Sequence, residues 1–330
     1  MRFPAAWCLL ACLATASYGQ DEGDLTAKVR MLPAIGPGLR SVRVGPDGAV
    51  YVLTSPASSL SVYDKDGKLL RNVPSYADNA GPRSPELRTI QYGEDMDVDS
   101  NGTVYVADRA ANAVKIWDAA GNARMAKVSA PLSLAALPDG EVAVTTLRDP
   151  HLVIVFDKNC RDVREFGDPE QISERADLNR FLSIGKLAAD AQGHLFYAFS
   201  YTPEPTVRQY DRFGYAGLEM QYTAVDAAFE AQAMRREIQR QEKKNGAPVF
   251  KLILTAVGID RERGEVWMAV GNTLMRFDKD GTRRGEYKIY TPDGARLEAS
   301  IILVQKDSLI IGSDPLGIYV FERPDKKIAQ

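Results

Sequence analysis

The sequence predicts an all-β chain folded as a six-bladed β-propeller with four strands to a blade. Three observations predict it. A turn, an apolar run and an aromatic residue followed by an acid recur six times. The spacing inside each copy is nearly fixed, whereas the spacing between copies varies. Each turn is flanked on both sides by apolar runs of strand length. Self-similarity of this kind marks a repeat architecture, and loop insertions account for the variation between units.

The first copy is Asp47-Gly48, Val50-Tyr51-Val52 and Tyr63-Asp64. The next are Asn101-Gly102 to Trp117-Asp118, Asp139-Gly140 to Phe156-Asp157, and Gln192-Gly193 to Tyr210-Asp211. The last two are Arg263-Gly264 to Phe277-Asp278 and Asp307-Ser308 to Phe321-Glu322. The aromatic stands 13 to 17 residues after the second turn residue, while successive aromatics are 54, 39, 54, 67 and 44 apart. Asp-Gly and Asn-Gly allow tight strand reversal because they tolerate positive φ. Second turns such as Asp118-Ala119-Ala120-Gly121 launch a fourth strand. Second strands that are apolar on both faces fit sheets sandwiched between neighbours.

The sixth copy stops after its third strand. The ring is therefore expected to close through an N-terminal strand, Leu25 to Leu32, serving as the outer strand of blade six. One helical insertion is expected near 224–245. There Phe229, Met234 and Ile238 recur at near-helical spacing and form a packed face, with Asp226 as N-cap and Asn245-Gly246 at the end. A propeller is thus expected over 20–330.

The second copy reads Met96-Asp97-Val98-Asp99-Ser100-Asn101-Gly102-Thr103-Val104-Tyr105-Val106-Ala107-Asp108, then Ala113-Val114-Lys115-Ile116-Trp117-Asp118. This resembles an NHL repeat, the unit of six-bladed propellers related to the gluconolactonase-like and strictosidine-synthase-like superfamily. The resemblance covers most of 25–323 and implies the fold. The family includes peptide and RNA binders, lyases and hydrolases, so it selects no activity. Related lactonases hold a divalent cation with a Glu near the start of the first blade and Asn or Asp from later blades. Here that stretch is Gly36-Pro37-Gly38-Leu39-Arg40, without a Glu, and Arg40 would repel a cation. No metal site and no cofactor are expected, and a divalent cation such as Ca2+ is left to the alternative reading.

The strand order puts the short Asp-Gly turns on one face and every long connection on the other, which marks the second face as functional. Six residues past each turn anchor stand Thr54, Asp108, Thr146, Phe199, Val270 and Asp314. Asp108 and Asp314 are the acids of that set. They are expected either to receive loop N–H groups or to join a ligand site. Arg83, Arg88, Arg109, Arg148 and Arg180 populate the same face. Arginines bind carboxylates and phosphates bidentately. Arg109 and Arg148, with Asp108 and Asp149 beside them, are the candidate anion-recognition patch. His151 follows Arg148-Asp149-Pro150 and joins the list of candidates.

With two histidines, His151 and His194, a three-His zinc site is excluded. Nucleophile-elbow, phosphate-loop and His-Glu-x-x-His patterns are missing. Forty-one Lys and Arg against 44 Asp and Glu give a net charge of −3, unlike a dedicated nucleic-acid binder. A binding or scaffold role is expected, for a protein, peptide or small anionic ligand, in a monomer without a membrane span. The alternative is a cation-dependent hydrolase of the gluconolactonase type. Residues 1–19 read as a signal peptide: Arg2, the apolar Ala5–Ala16, then Ser17 and Gly19 before a cut at Gln20. Export to the periplasm or outside the cell follows. Lipidation at Cys12 is the rival cleavage. The mature chain keeps only Cys160, so no internal disulfide forms.

Overall fold

The computed structural model describes residues 21–75, 84–222, 225–244 and 246–324. The leader at 1–19 and Arg83 lie outside them. Two short strands come first, β1 (Asp21–Thr26) and β2 (Val29–Met31). Blade one is β3 (Leu39–Val44), β4 (Val50–Thr54), β5 (Leu60–Tyr63) and β6 (Leu69–Val73). Blade two is β7 (Gly93–Val98), β8 (Val104–Asp108), β9 (Ala113–Trp117) and β10 (Ala123–Lys127). Blade three is β11 (Pro131–Ala136), β12 (Val142–Thr146), β13 (Val153–Phe156) and β14 (Asp162–Phe166). The helix α1 (Ala176–Leu182) leads into blade four, β15 (Gly185–Ala189), β16 (Leu195–Phe199), β17 (Thr206–Tyr210) and β18 (Ala216–Gln221). The helix α2 (Val225–Glu242) leads into blade five, β19 (Leu254–Ile259), β20 (Val266–Val270), β21 (Thr273–Phe277) and β22 (Arg283–Tyr290). Blade six is β23 (Ile301–Val304), β24 (Ser308–Ser313) and β25 (Gly317–Glu322), completed by β2.

Each blade is an antiparallel meander, and the first strand of each lines the central channel. The core is divided into six seams, one between each pair of neighbouring blades. Tyr51, Leu53 and Val62 of blade one meet Met96, Val106 and Trp117 of blade two. The aromatics of the repeat fill these seams: Trp117, Phe156, Tyr210, Phe277 and Phe321 are all buried. The acid after the aromatic has a separate task. Asp64, Asp157, Asp211 and Asp278 each accept the N–H groups two and four residues on, which ties the turn between third and fourth strands. Gly121 closes one such turn at φ 84°. Blade three puts Cys160 at that place with φ 62°, a left-handed conformation that costs a side chain more than glycine.

Closure is split where one strand was expected. β1 pairs parallel with β22 as a fifth strand of blade five, and only β2 pairs with β25. The chain steps between blades at Ala27 and Lys28, whose N–H groups reach Tyr290 and Val320. Ala27 is buried at the step, in the seam between blades five and six. β2 itself is mostly exposed, with Val29 at 53%. The anchors of this end are Leu32 and Ile35, which join the seam between blades six and one.

The helix expected at 224–245 spans Val225–Glu242. Its packed face is Ala231, Met234 and Ile238; Phe229 is 71% exposed. Five residues separate Phe229 from Met234, which at 3.6 per turn rotates Phe229 well off the buried stripe. Met234 and Ile238 pack on Leu178 and Leu182 of α1 and on Ile253. No helix among the described residues is long and apolar enough to cross a membrane.

These observations predict unequal costs at the N-terminal end. Removing 21–26 strips an exposed edge strand and should move the urea midpoint little. Leu32→Ala should cost about 2 kcal/mol, as buried leucines do, whereas Val29→Ala should stay within about 0.5 kcal/mol. Equal losses at the two positions would refute the closure described.

Candidate binding site in the channel and on the loop-rich face

The channel wall carries one polar level. Ser41, Asp95, Ser133 and Lys186 each stand seven residues before a turn glycine, at the same height in blades one to four. Ser41 Oγ donates to Asp95 Oδ1 at 2.8 Å, and Ser133 Oγ donates to Asp95 Oδ2 at 2.6 Å. The N–H of Leu187 then donates to Ser133 Oγ at 3.1 Å. Lys186 Nζ crosses to the other half of the ring, donating to the carbonyls of Thr255 at 2.9 Å and Ser300 at 2.7 Å. Burial pushes the Lys186 ammonium below its ordinary pKa, with Asp95 pulling it back up and Arg43 and Arg40 pushing it down.

Arginines occupy the channel carboxylates. Arg43 Nε donates to Asp97 Oδ1 at 3.0 Å, and Arg261 reaches across from blade five to Asp97 Oδ2 at 3.3 Å. Nearer the loop-rich mouth, Arg109 Nη1 donates to Glu94 Oε1 at 2.9 Å. Arg40 donates to the Tyr92 hydroxyl at 2.7 Å and lies over its ring. The channel has two compartments sharing Arg43, Leu187, Val257 and Ile302. A cavity of about 390 Å3 opens on the short-turn face and one of about 60 Å3 lies toward the loop-rich face. The roomier end is thus opposite the face that carries the long connections.

The residues singled out in the sequence are not gathered in one cluster. Asp108 is fully buried. It accepts the N–H groups of Gln91 at 2.8 Å and Tyr92 at 2.9 Å and pairs with the equally buried Lys115 at 2.8 Å. Its carboxylate holds a loop, and Arg109 turns to Glu94 instead. Asp314 accepts the N–H of Gly38 at 2.8 Å, linking blade six to the entry of blade one. Asp149 accepts the N–H of His151 at 2.9 Å. His151 Nδ1 stands 3.8 Å from Asp168 and has no hydrogen-bond partner. Arg148 is exposed. The loop that carries it is pinned by Arg180, which donates to the carbonyls of Thr146, Leu147 and His151.

Glu94 and Asp95 stand in sequence as acids near the arginines of the loop-rich face, but neither they nor Asp97 and Lys186 belong to the candidate set, because long connections rather than first strands mark a functional face. A signal existed: isolated charges in first strands otherwise apolar, as in Ile184-Gly185-Lys186-Leu187-Ala188. Among the described residues no group of three or more His, Cys, Asp or Glu could hold a metal ion. With Asp97 and Glu94 paired to arginine and Asp95 held by serines, the channel does not fit a divalent cation.

At the short-turn mouth, Arg323 is 1% exposed and donates to Asp260 at 2.7 Å and Glu265 at 2.8 Å. Desolvation pushes the Asp260 carboxyl up, but the bonds from Arg323 and from the N–H groups of Arg263 and Glu262 outweigh it. The net result is a pKa below the ordinary carboxylate value.

The fold and this channel define the chain as a six-bladed β-propeller with a charged central channel. No protein-family model matches the chain, the NHL repeat included, and no curated protein matches it. Solved structures do. Virginiamycin B lyase from Staphylococcus aureus matches with a TM-score of 0.54 and 15% identity over 90% of this chain and 87% of that one. A gluconolactonase from Xanthomonas campestris matches with a TM-score of 0.56 and 15% identity over 89% of each chain. Hydrazine synthase from Kuenenia stuttgartiensis matches with a TM-score of 0.52 and 13% identity over 88% and 96%. At such identities the likeness is one of fold.

Two outcomes follow from these contacts. Asp108→Ala leaves the Lys115 charge buried without its carboxylate and should cost about 3–5 kcal/mol in urea unfolding. The double variant with Lys115→Met should regain much of that loss. Asp260 has a depressed folded-state pKa, so its contribution is present above the unfolded value of about 3.9 and is lost as pH falls through the folded one. The stability gap between the parent chain and Asp260→Asn should therefore narrow below about pH 4; a gap constant down to pH 2 would contradict this.

Proposed function

We propose that this chain is an exported binding module that holds a protein, peptide or small anionic ligand on its loop-rich face. The observation that carries the reading is the platform built there. α1 and α2 share a core of their own, Leu178, Leu182, Met234, Ile238 and Ile253. Blades four and five pair completely without it. An added, independently packed layer that no blade requires is a surface kept for contact. On it Phe229 and Val249 are 71% and 72% exposed. Lys251 pairs with Glu230 at 3.0 Å, fixing the returning segment against α2. Arg180 ties the loop of Arg148 to α1, so an exposed cation is held beside this layer. Exposed apolar side chains on a layer whose first helix also anchors a cation-bearing loop are what an interface covers. Export rests on the leader pattern in 1–19.

The second reading is a cation-dependent hydrolase, favoured by the fold shared with a gluconolactonase and with virginiamycin B lyase. The arginines on Glu94 and Asp97 weigh against it. Metal analysis of the purified chain, with an assay of gluconolactone hydrolysis before and after chelation, separates the two. A stoichiometric cation with chelator-sensitive turnover would favour the hydrolase.

For the binding reading, charge reversal is the direct check. Arg148→Glu is at an exposed position and should stay within about 0.5 kcal/mol of the parent stability. Arg109→Glu faces Glu94 and should cost somewhat more, about 1 kcal/mol. Together they should abolish capture of the partner recovered by cross-linking from the exporting compartment. Undiminished capture by the folded double variant would remove these arginines from the interface.

A further inference from the structure

The narrow compartment holds two donors short of acceptors. Lys186 is an amine with up to three N–H donors, and two of them go to Thr255 and Ser300. Among the described residues no carboxylate lies within 4.0 Å of it. Arg40 Nε is buried and has no hydrogen-bond partner. Both side chains line the 60 Å3 cavity. An orphaned buried N–H in a native fold calls for an acceptor.

The charge count of the wall points the same way. With the amine protonated, Arg40, Arg43 and Lys186 line the compartment with Glu94 and Asp95, three cations against two carboxylates, and Asp97 just beyond it is already shared between Arg43 and Arg261. Asp95 cannot make up the deficit by turning. Its Oδ1 already accepts from Ser41 and the N–H of Met96, and its Oδ2 from Ser133 and the N–H of Leu134. Glu94 is held by Arg109. A water needs about 10–15 Å3 of such space, so 60 Å3 admits a group of three or four heavy atoms.

We propose that this compartment binds the carboxylate group of a small acid, with Lys186 Nζ and Arg40 Nε as its donors. This deepens the reading of the loop-rich mouth as a face for an anionic ligand and rests on it. One negative charge balances the wall, and the two oxygens of a carboxylate match two separate donors. Amides and alcohols would satisfy the donors but leave the excess charge in place.

Proton linkage gives the site a signature. The groups that face Lys186 are Arg40 and Arg43 from β3, Glu94 and Asp95 from β7, Ser133 from β11, and the carbonyls of Thr255 and Ser300. Burial favours the neutral amine in the empty channel, and a bound carboxylate favours the ammonium. Binding therefore takes up a proton wherever the free amine is neutral. Affinity should fall by up to about tenfold per pH unit above the pKa of the free amine.

The test uses sodium acetate on the purified chain, against sodium chloride at matched ionic strength and acetamide as the neutral isostere. Calorimetry runs from pH 6 to 9 in buffers of different ionisation enthalpy, which counts protons. Acetate should bind, with proton uptake at those pH values where the free amine is neutral, and acetamide should not bind. Arg40→Gln should weaken acetate binding about tenfold, and Lys186→Met should abolish it together with the proton uptake. Lys186 also bridges blades, so if its variant does not fold, Arg40→Gln and the proton count on the parent chain decide. Acetate that binds without proton uptake and ignores Arg40→Gln sits on the exposed arginines. That outcome overturns this inference and leaves the broader reading standing. No acetate binding at any pH overturns it too, while the result at Arg109 and Arg148 remains separate.

Discussion

Two of the three carboxylates on the inner strand of blade two, Asp95 and Asp97, bind the ring together. Apolar seams hold each pair of neighbouring blades, but a seam is local and does not specify the bore. Asp95 and Asp97 do that. Through Ser41 and Arg43 they take blade one, and through Ser133 and the N–H of Ala136 they take blade three. Arg261 carries the same tie across the channel from blade five. Ser133 passes it to blade four, and Lys186 hands it to blades five and six. Such networks are valuable only when complete, because an unpaired buried charge is costly. Here Asp95 and Asp97 are satisfied on both oxygens, and the shortfall is confined to Arg40 and Lys186.

The fold was legible because a propeller repeats its instructions. The Asp that follows each aromatic is a turn acceptor, and the aromatic is a seam filler, so both are fixed by local geometry at five turns. The sixth position is Glu322, where no fourth strand follows in sequence, and it pairs with Lys28 beside the incoming N-terminal strand. That exception pointed to ring closure. The break at Ala27 was not legible, since β1 pairs in parallel with a strand more than 250 residues away and no pattern in Asp21–Thr26 announces it. Phe229 departs from the expected packed face because five positions from Met234 is well over one helical turn and leaves it off the buried stripe.

The candidate site was less legible for a different reason. A loop arginine and a channel arginine are identical in sequence, and their roles differ only by what faces them across the ring. Asp108 ends a strand on the loop-rich face, where the sequence allows either a loop tie or a ligand site; it takes the loop N–H groups of Gln91 and Tyr92, and Lys115, from the adjacent strand, holds it in the core. Lys186 is a single charge in an otherwise apolar strand. Only alignment of first strands by their turn glycines sets it level with Ser41, Asp95 and Ser133. Pairings that cross the bore join residues far apart in sequence, 69 and 114 positions for Lys186 with Thr255 and Ser300, and no local rule predicts them.

Charge in the bore also separates this chain from what its fold permits. A propeller channel gathers six first strands around one axis, so any charge placed there acts on every other charge in a confined, poorly screened space. Carboxylates left free at that axis would attract a cation. Here each is answered by a guanidinium or held by serine hydroxyls and backbone N–H groups, and a further cation would meet Arg40, Arg43 and Lys186 before any open oxygen. Converting such a wall to a cation site would need more than one new carboxylate, because the arginines also carry inter-blade contacts. Arg43 bonds Ser41 and Val42 as well as Asp97. The electrostatic character of the channel is therefore tied to the closure of the ring, since the residues that set it also hold its blades together.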